Sequence, residues 1–208
     1  SMVFGTHRAL DALDVAVPSG VTGLVGANGA GKTTFMSIVL GLRTPTDGSV
    51  SVLGLDPLRD GAELRANVGY GPERNVFPDD MPASDFVKHL AEVRGMPRSE
   101  ARSRASDALW LVGLGEERFR ALGTMSTGQR QRVKLAQAIA ADPSLVLLDE
   151  PTDGLDPVQR DEMLALIRQI SEDYQIDVML SSHLLEEVER ICDNVIALDA
   201  GRLVAQGP

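Results

Sequence analysis

The sequence predicts an α/β fold with a mainly parallel sheet, a small antiparallel β side sheet and an inserted all-helical lobe. Three observations carry this. Apolar strands at 145–149, 176–181 and 194–199 alternate with helical patterns at about 157–172 and 183–192, the alternation expected of a parallel sheet buried on both faces. A short apolar run, Val21–Val25, leads through a glycine-rich turn into a helical pattern from Lys32 to about Leu40. Between about 79 and 142 strand signals vanish and helical ones take over.

Taken in order, Ser1 reads as a cloning remnant, and Val3-Phe4-Gly5 opens close to the first strand. Leu13, Val15 and Val17 alternate with Asp14 and Ala16, and Val50 and Val52 alternate with Ser49 and Ser51, which places both stretches as antiparallel strands of the side sheet. The helical stretch carries Phe86, Leu90 and Val93 in one segment and Ala105, Ala108, Leu109 and Val112 in another. Proline and glycine at Tyr70-Gly-Pro72 and Ala141-Asp-Pro143 mark its junctions. The expected division is therefore a core of 1–78 and 143–208 and a lobe of 79–142. The helix after Asp156 has Pro157 in its first position, Gln159 in its third, and Met163, Leu166, Ile167 and Ile170 on one face.

At 208 residues, 43% hydrophobic and 24% charged, the chain has ordinary globular composition and length for one domain with a lobe. Thirty acidic against twenty basic residues give a net charge of −10. No overall field gathers nucleic acid or anionic lipid, so any bound anion needs a local device. No apolar run approaches the roughly 20 residues of a spanning helix, so no direct membrane insertion is expected. One cysteine, Cys192, excludes an internal disulfide, and no secretory layout is visible near the start. A cytoplasmic location is the expectation.

Gly26-Ala-Asn28-Gly29-Ala30-Gly31-Lys32-Thr33-Thr34 fits a phosphate-binding loop in the strand-to-helix context its mechanism needs. Glycines let backbone N–H groups converge on phosphate oxygens, and the helix N-terminus adds roughly half a positive charge. Lys32 would neutralise β and γ phosphates, and Thr33 would offer its hydroxyl to Mg2+. Asp149 and Glu150, ending an apolar strand, supply the second half of a nucleotide site: Asp149 supports the metal, and Glu150 acts as general base or orients water. Two adjacent acids alone more often form a solvated turn; the glycine loop makes the difference. The core is thus expected to be that of a P-loop NTPase.

The order of motifs resembles the nucleotide-binding domain of ATP-binding cassette (ABC) proteins over essentially the whole chain. After the phosphate loop come Val68-Gly-Tyr-Gly-Pro-Glu73, Met125-Ser126-Thr127-Gly128-Gln129, the strand ending in Asp149-Glu150, Gly154-Leu155-Asp156, and a lone His183 after a strand. The resemblance implies ATP and Mg2+ held between two domains packed head to tail, each giving its phosphate loop to one face and its signature segment to the other. Ser126, Gly128 and Gln129 would face the partner's γ-phosphate, and Ser126 equally suits a helix N-cap. Asp156 resembles an interface acid and also a helix cap. His183 resembles the switch histidine that holds Glu150 and water, and Phe4 sits where the family usually places an aromatic residue that stacks on adenine, a position that equally suits an apolar strand residue. His7, His89, Trp110 and Cys192 match no motif and read as packing or surface residues.

Two departures stand out. Glu73 replaces the usual glutamine, which adds negative charge beside the metal unless Glu73 coordinates it, takes a proton or stays withdrawn. Thr127 puts a β-branched side chain where glycine usually lets another backbone approach. Both resemble exporter subunits. The expected function is an ATP-hydrolysing subunit that powers transport, with a lean to export, through a separate membrane-spanning partner on the cytoplasmic face. Its other partner is a second nucleotide-binding domain, identical or related. The alternative is a soluble ABC ATPase acting on ribosomes or DNA; the acidic charge and the lack of heptad coiled coils oppose it, and no nucleic-acid partner is expected. A P-loop kinase or GTPase has no use for the segment 125–129.

Overall fold

A computed structural model describes residues 1–74 and 76–208. Strands β1 (Met2–Phe4) and β2 (His7–Leu10) form a hairpin, followed by β3 (Val21–Val25), α1 (Lys32–Val39), α2 (Gly61–Asn67) and β4 (Val68–Gly71). Three helices come next, α3 (Ala83–Val93), α4 (Arg98–Leu111) and α5 (Thr127–Ile139). The chain then alternates β5 (Leu145–Leu148), α6 (Pro157–Tyr174), β6 (Asp177–Ser182), α7 (Leu185–Ile191) and β7 (Asn194–Asp199), and closes on β8 (Arg202–Gly207).

The six-stranded sheet has the order β4-β5-β6-β3-β7-β8, parallel except for the β7–β8 hairpin. This order positions the site. Because β6 lies between β3 and β5, its carboxyl end emerges between the phosphate loop after β3 and the acids after β5, and ligands of open α/β sheets bind outside such strand ends.

Successive strand residues face opposite layers. Val146, Leu148, Val178 and Leu180 point into one core with Met163, Leu164 and Ile167 of α6 and Val188 of α7. Leu147 and Met179 point into the other, with Met36 and Val39 of α1 and Leu64 of α2. The helix α7 comes close to β3 because Gly23 is bare: a Cβ there would lie 2.3 Å from Val188 Cγ1. The helices α3, α4 and α5 pack together, and α5 also lies on β4 and β5. Through α5, Val87, Leu109 and Val112 share one continuous core with the sheet.

The side sheet exists but is made of other residues than the alternation suggested. It is the β1–β2 hairpin, turned at Gly5 and Thr6, with Met2 and Leu10 against Ile38 of α1. The stretches 13–17 and 49–52 do turn Leu13, Val15, Val50 and Val52 onto the core. Among the described residues, however, their backbones form no ladder beyond the bridge Val52–Leu55. Alternation fixes which face of a segment is buried; only a neighbour at hydrogen-bonding distance makes that segment a strand. Among the described residues no helix is long and apolar enough to cross a membrane.

Candidate functional site

The loop between β3 and α1 is closed by two kinds of glycine. Gly29 and Gly31 adopt φ of 85° and 107°, where a side chain would be strained. Gly26 has no room, since a Cβ would sit 2.4 Å from the Leu198 carbonyl oxygen. Lys32 opens α1 and is buried; its Nζ donates to the Gly26 carbonyl at 2.6 Å and lies 3.3 Å from Glu150 Oε1. The lysine thus folds back over its own loop, against a carboxylate.

Asp149 and Glu150 are also buried, 1% and 9% exposed, which would be costly without partners. Asp149 has them on both oxygens. Oδ1 accepts from Ser181 Oγ at 2.6 Å, and Oδ2 accepts from Thr33 Oγ1 at 3.1 Å. The Glu150 N–H donates to the same Ser181 Oγ at 2.9 Å. Glu150 sits at φ 47°, the left-handed region, a strain of about 1–3 kcal/mol that surrounding contacts must hold in place. Its Oε2 lies 2.9 Å from His183 Nδ1, while Oε1 has Lys32 nearby but no hydrogen bond. Just behind, Glu187 accepts from Thr152 Oγ1 at 2.8 Å and Ser182 Oγ at 2.6 Å, fixing the loop after Glu150 to the end of β6.

These groups open onto a cleft of about 500 Å³ lined by Phe4, Asn28, Gly29, Gly31, Lys32, Thr33, Thr34, Glu73, Asp149, Glu150 and His183. Ala30 is buried beneath it, its carbonyl accepting from the Gly201 N–H at 3.0 Å. Phe4 stands at the rim with the Arg43 guanidinium 4.9 Å from its ring centroid. His7, which sequence reasoning gave no role, lines the same cleft, as does Asp153. Burial, with the Asp149 and Glu73 carboxylates adding to it, pushes the Tyr70 hydroxyl up to about 12. Thr33 and Asp149 offer the hydroxyl and carboxylate oxygens that suit Mg2+, and Glu150 Oε1 beside them is engaged, among the described residues, only by the Lys32 ammonium. The donor set fits a metal held jointly with phosphate oxygens.

Ser126, Gly128, Gln129 and Asp156 are not brought to this cleft. Ser126 caps α5 in a capping box: its hydroxyl accepts from the Gln129 N–H at 3.2 Å, and Gln129 Oε1 accepts from the Ser126 N–H at 3.1 Å. Asp156 caps α6, its Oδ1 accepting from the Gln159 N–H at 2.9 Å. Ser126, Gly128 and Gln129 line a separate hollow of about 110 Å³ with Arg132, Leu155 and Gln159. The Thr127 methyl finds space against Gly154, where a Cβ would stand 3.2 Å from it. Gln131 Nε2 donates to the Asp153 carbonyl at 2.9 Å, tying α5 to the loop between the acids and α6.

Ser181, Asp153, His7, Arg43 and Lys134 escaped the sequence reading. Only Ser181 left a trace, as a hydroxyl at the end of an otherwise apolar strand. Lys134, in the middle of α5, is 1% exposed, and burial pulls its ammonium down to about 8 against the pull of the Asp149, Asp153, Glu73 and Glu150 carboxylates.

Comparison with known proteins adds the family. A family model described as "ABC transporter" matches residues 10–153. The chain is 36% identical over 210 residues to the methionine import ATP-binding protein MetN of Mesorhizobium japonicum, covering 99% of this chain and 58% of that protein. It is 34% identical over 189 residues to the ABC transporter ATP-binding protein NatA of Bacillus subtilis, covering 90% and 76%. To the daunorubicin/doxorubicin resistance protein DrrA of Streptomyces peucetius it is 32% identical over 206 residues, covering 99% and 62%. The chain therefore spans about three-fifths of the length of MetN and DrrA. The fold superposes on CbiO1 of Clostridium perfringens, part of the CbiONQ transporter complex, with a TM-score of 0.85 at 29% identity over 96% of this chain and 81% of that one. It also superposes on a dimeric bacterial ABC transporter cassette with a TM-score of 0.84 at 24% identity, over 98% and 93%. With the loop, the acids and the sheet order in place, these matches establish that the chain belongs to the ABC transporter family, as one of its ATP-binding cassettes.

Proposed function

We propose that this chain binds ATP with Mg2+ in the cleft after β3 and hydrolyses it to power export through a separate membrane-spanning partner, from the cytoplasmic face. The single observation that carries the reading is the shared network in which Thr33, Asp149, Ser181, Glu150 and His183 are linked within 3.1 Å at each step. It joins a phosphate cradle to a held carboxylate.

In this reading Lys32 leaves the Gly26 carbonyl for the phosphates, which frees Glu150 Oε1 to accept a proton from the attacking water. His183 orients Glu150 through Oε2, and Ser181 fixes the backbone of Glu150 and the side chain of Asp149 together. Thr33 and Asp149, with Glu73 at the cleft wall, would hold Mg2+, which supplies charge to neutralise the phosphate oxygens. Phe4, stiffened by Arg43, stacks on the adenine. Ser126, Gly128, Gln129 and Asp156 serve the cleft of a second nucleotide-binding domain, since they lie away from their own. Glu73 and Thr127 support the lean to export; the named relatives include a methionine importer and a drug-resistance protein.

Fractionation of cells expressing the full-length protein tests the coupling to a membrane partner. The expected result is recovery with membranes together with an integral membrane subunit. Recovery with ribosomes or nucleoid, and none with membranes, would overturn it in favour of a soluble ABC ATPase.

A further inference from the structure

Two lysines are buried among the described residues, Lys32 and Lys134, and the phosphate loop explains only the first. Lys134 lies two helical turns beyond the Ser126–Gln129 end of α5. Its stem passes beneath β4 where Gly71 leaves space: a Cβ on Gly71 would stand 3.3 Å from Lys134 Cγ and 3.4 Å from its Cδ. Its Nζ donates to the Glu73 carbonyl at 3.1 Å, the one hydrogen bond it makes among the described residues.

An ammonium has three N–H groups and is costly to bury, so filling space does not account for it. Leucine or methionine would fill the same volume without that cost. What the lysine adds is a link. Glu73 follows β4 with only Pro72 between, and it is one of the residues that line the nucleotide cleft. Burial pulls the Lys134 ammonium down, and the carboxylates of Asp149, Asp153, Glu73 and Glu150, all of which line that cleft, pull it up.

We propose that Lys134 is a positioning residue for ATP hydrolysis: by holding the Glu73 carbonyl it fixes the cleft-lining Glu73 to the helix that carries Ser126–Gln129. Movement of α5 on engaging a second domain then moves Glu73 with it. The inference rests on the ATPase reading and deepens it.

Lys134→Met, which keeps the stem and removes the donor, is compared with Lys134→Gln, which keeps a donor without the charge. The measurements on the full-length protein are kcat, equilibrium affinity for MgATP and Tm. The expected result is a fall in kcat of about tenfold or more for Lys134→Met with affinity within threefold of the parent, and kcat within threefold of the parent for Lys134→Gln. If the methionine variant does not fold, Lys134→Leu, which also lacks a donor, takes its place. A donorless variant with kcat within twofold of the parent overturns the proposal. So does an equal fall in kcat for Gln and Met, or a fall that disappears at a temperature below both Tm values. No ATPase activity in the parent overturns the functional reading as well, whereas an active parent with unchanged variants overturns only the role of Lys134.

Discussion

In the cleft after β3, one chain supplies an almost complete set of partners: Asp149 is bonded on both carboxylate oxygens, Glu150 is held from its backbone and from His183, and Lys32 waits against Glu150. At the start of α5 the opposite holds. Ser126 and Thr127 are exposed, and Ser126 and Gln129 satisfy only each other. No residue of the segment 125–129 lines the cleft of its own chain. The difference is what the proposed function expects if the two regions answer to different partners. In the proposed reading the cleft receives the triphosphate, whereas the start of α5, packed against Leu155 and Gln159 of the same chain, faces a second domain.

The comparison breaks most visibly at Lys32. Lys32→Ala removes the one lysine that lines the cleft, and its loss is expected to weaken ATP affinity by about 100-fold or more, the scale of losing one partner of a buried charge pair. Isothermal titration with MgATP reads it directly; retained micromolar affinity would place the phosphates elsewhere. A smaller change sharpens the other side. Ser126→Ala removes the α5 cap and is expected to lower stability by about 1 kcal/mol in denaturant unfolding. ATP affinity of the single chain stays within twofold, because Ser126 lies outside the cleft. A marked loss of that affinity would mean that the signature segment serves its own nucleotide.

Much of this division was legible beforehand, for a physical reason. Strands β5, β6 and β7 are apolar on both faces, so continuous runs such as Leu145–Leu148 announce them. The phosphate loop and the Asp149-Glu150 pair are local in sequence, and their chemistry requires that spacing. The strand β4 was invisible because two of its four residues are glycines, and β8 because it is a largely exposed edge strand. Leu13, Val15, Val17, Val50 and Val52 misled in the other direction: among the described residues their backbones join no ladder, and only Val52 forms a single bridge, to Leu55. Ser181 and Lys134 matter through what the fold brings to them: the Asp149 carboxylate 32 residues away for one, the Glu73 carbonyl 61 residues away for the other. No local pattern encodes such meetings.

Glu150→Gln gives the most direct measurement of the central claim, that this chain and a second nucleotide-binding domain, tested as an identical copy, close over ATP and that Glu150 then cleaves it. The variant keeps the shape of the side chain and removes the base, so turnover is expected to fall by about 10²–10⁴-fold while ATP still binds. In sedimentation velocity with ATP and Mg2+ the variant should run as a dimer, and without nucleotide as a monomer. Turnover at the parental rate, or a monomer at saturating ATP, would contradict the account.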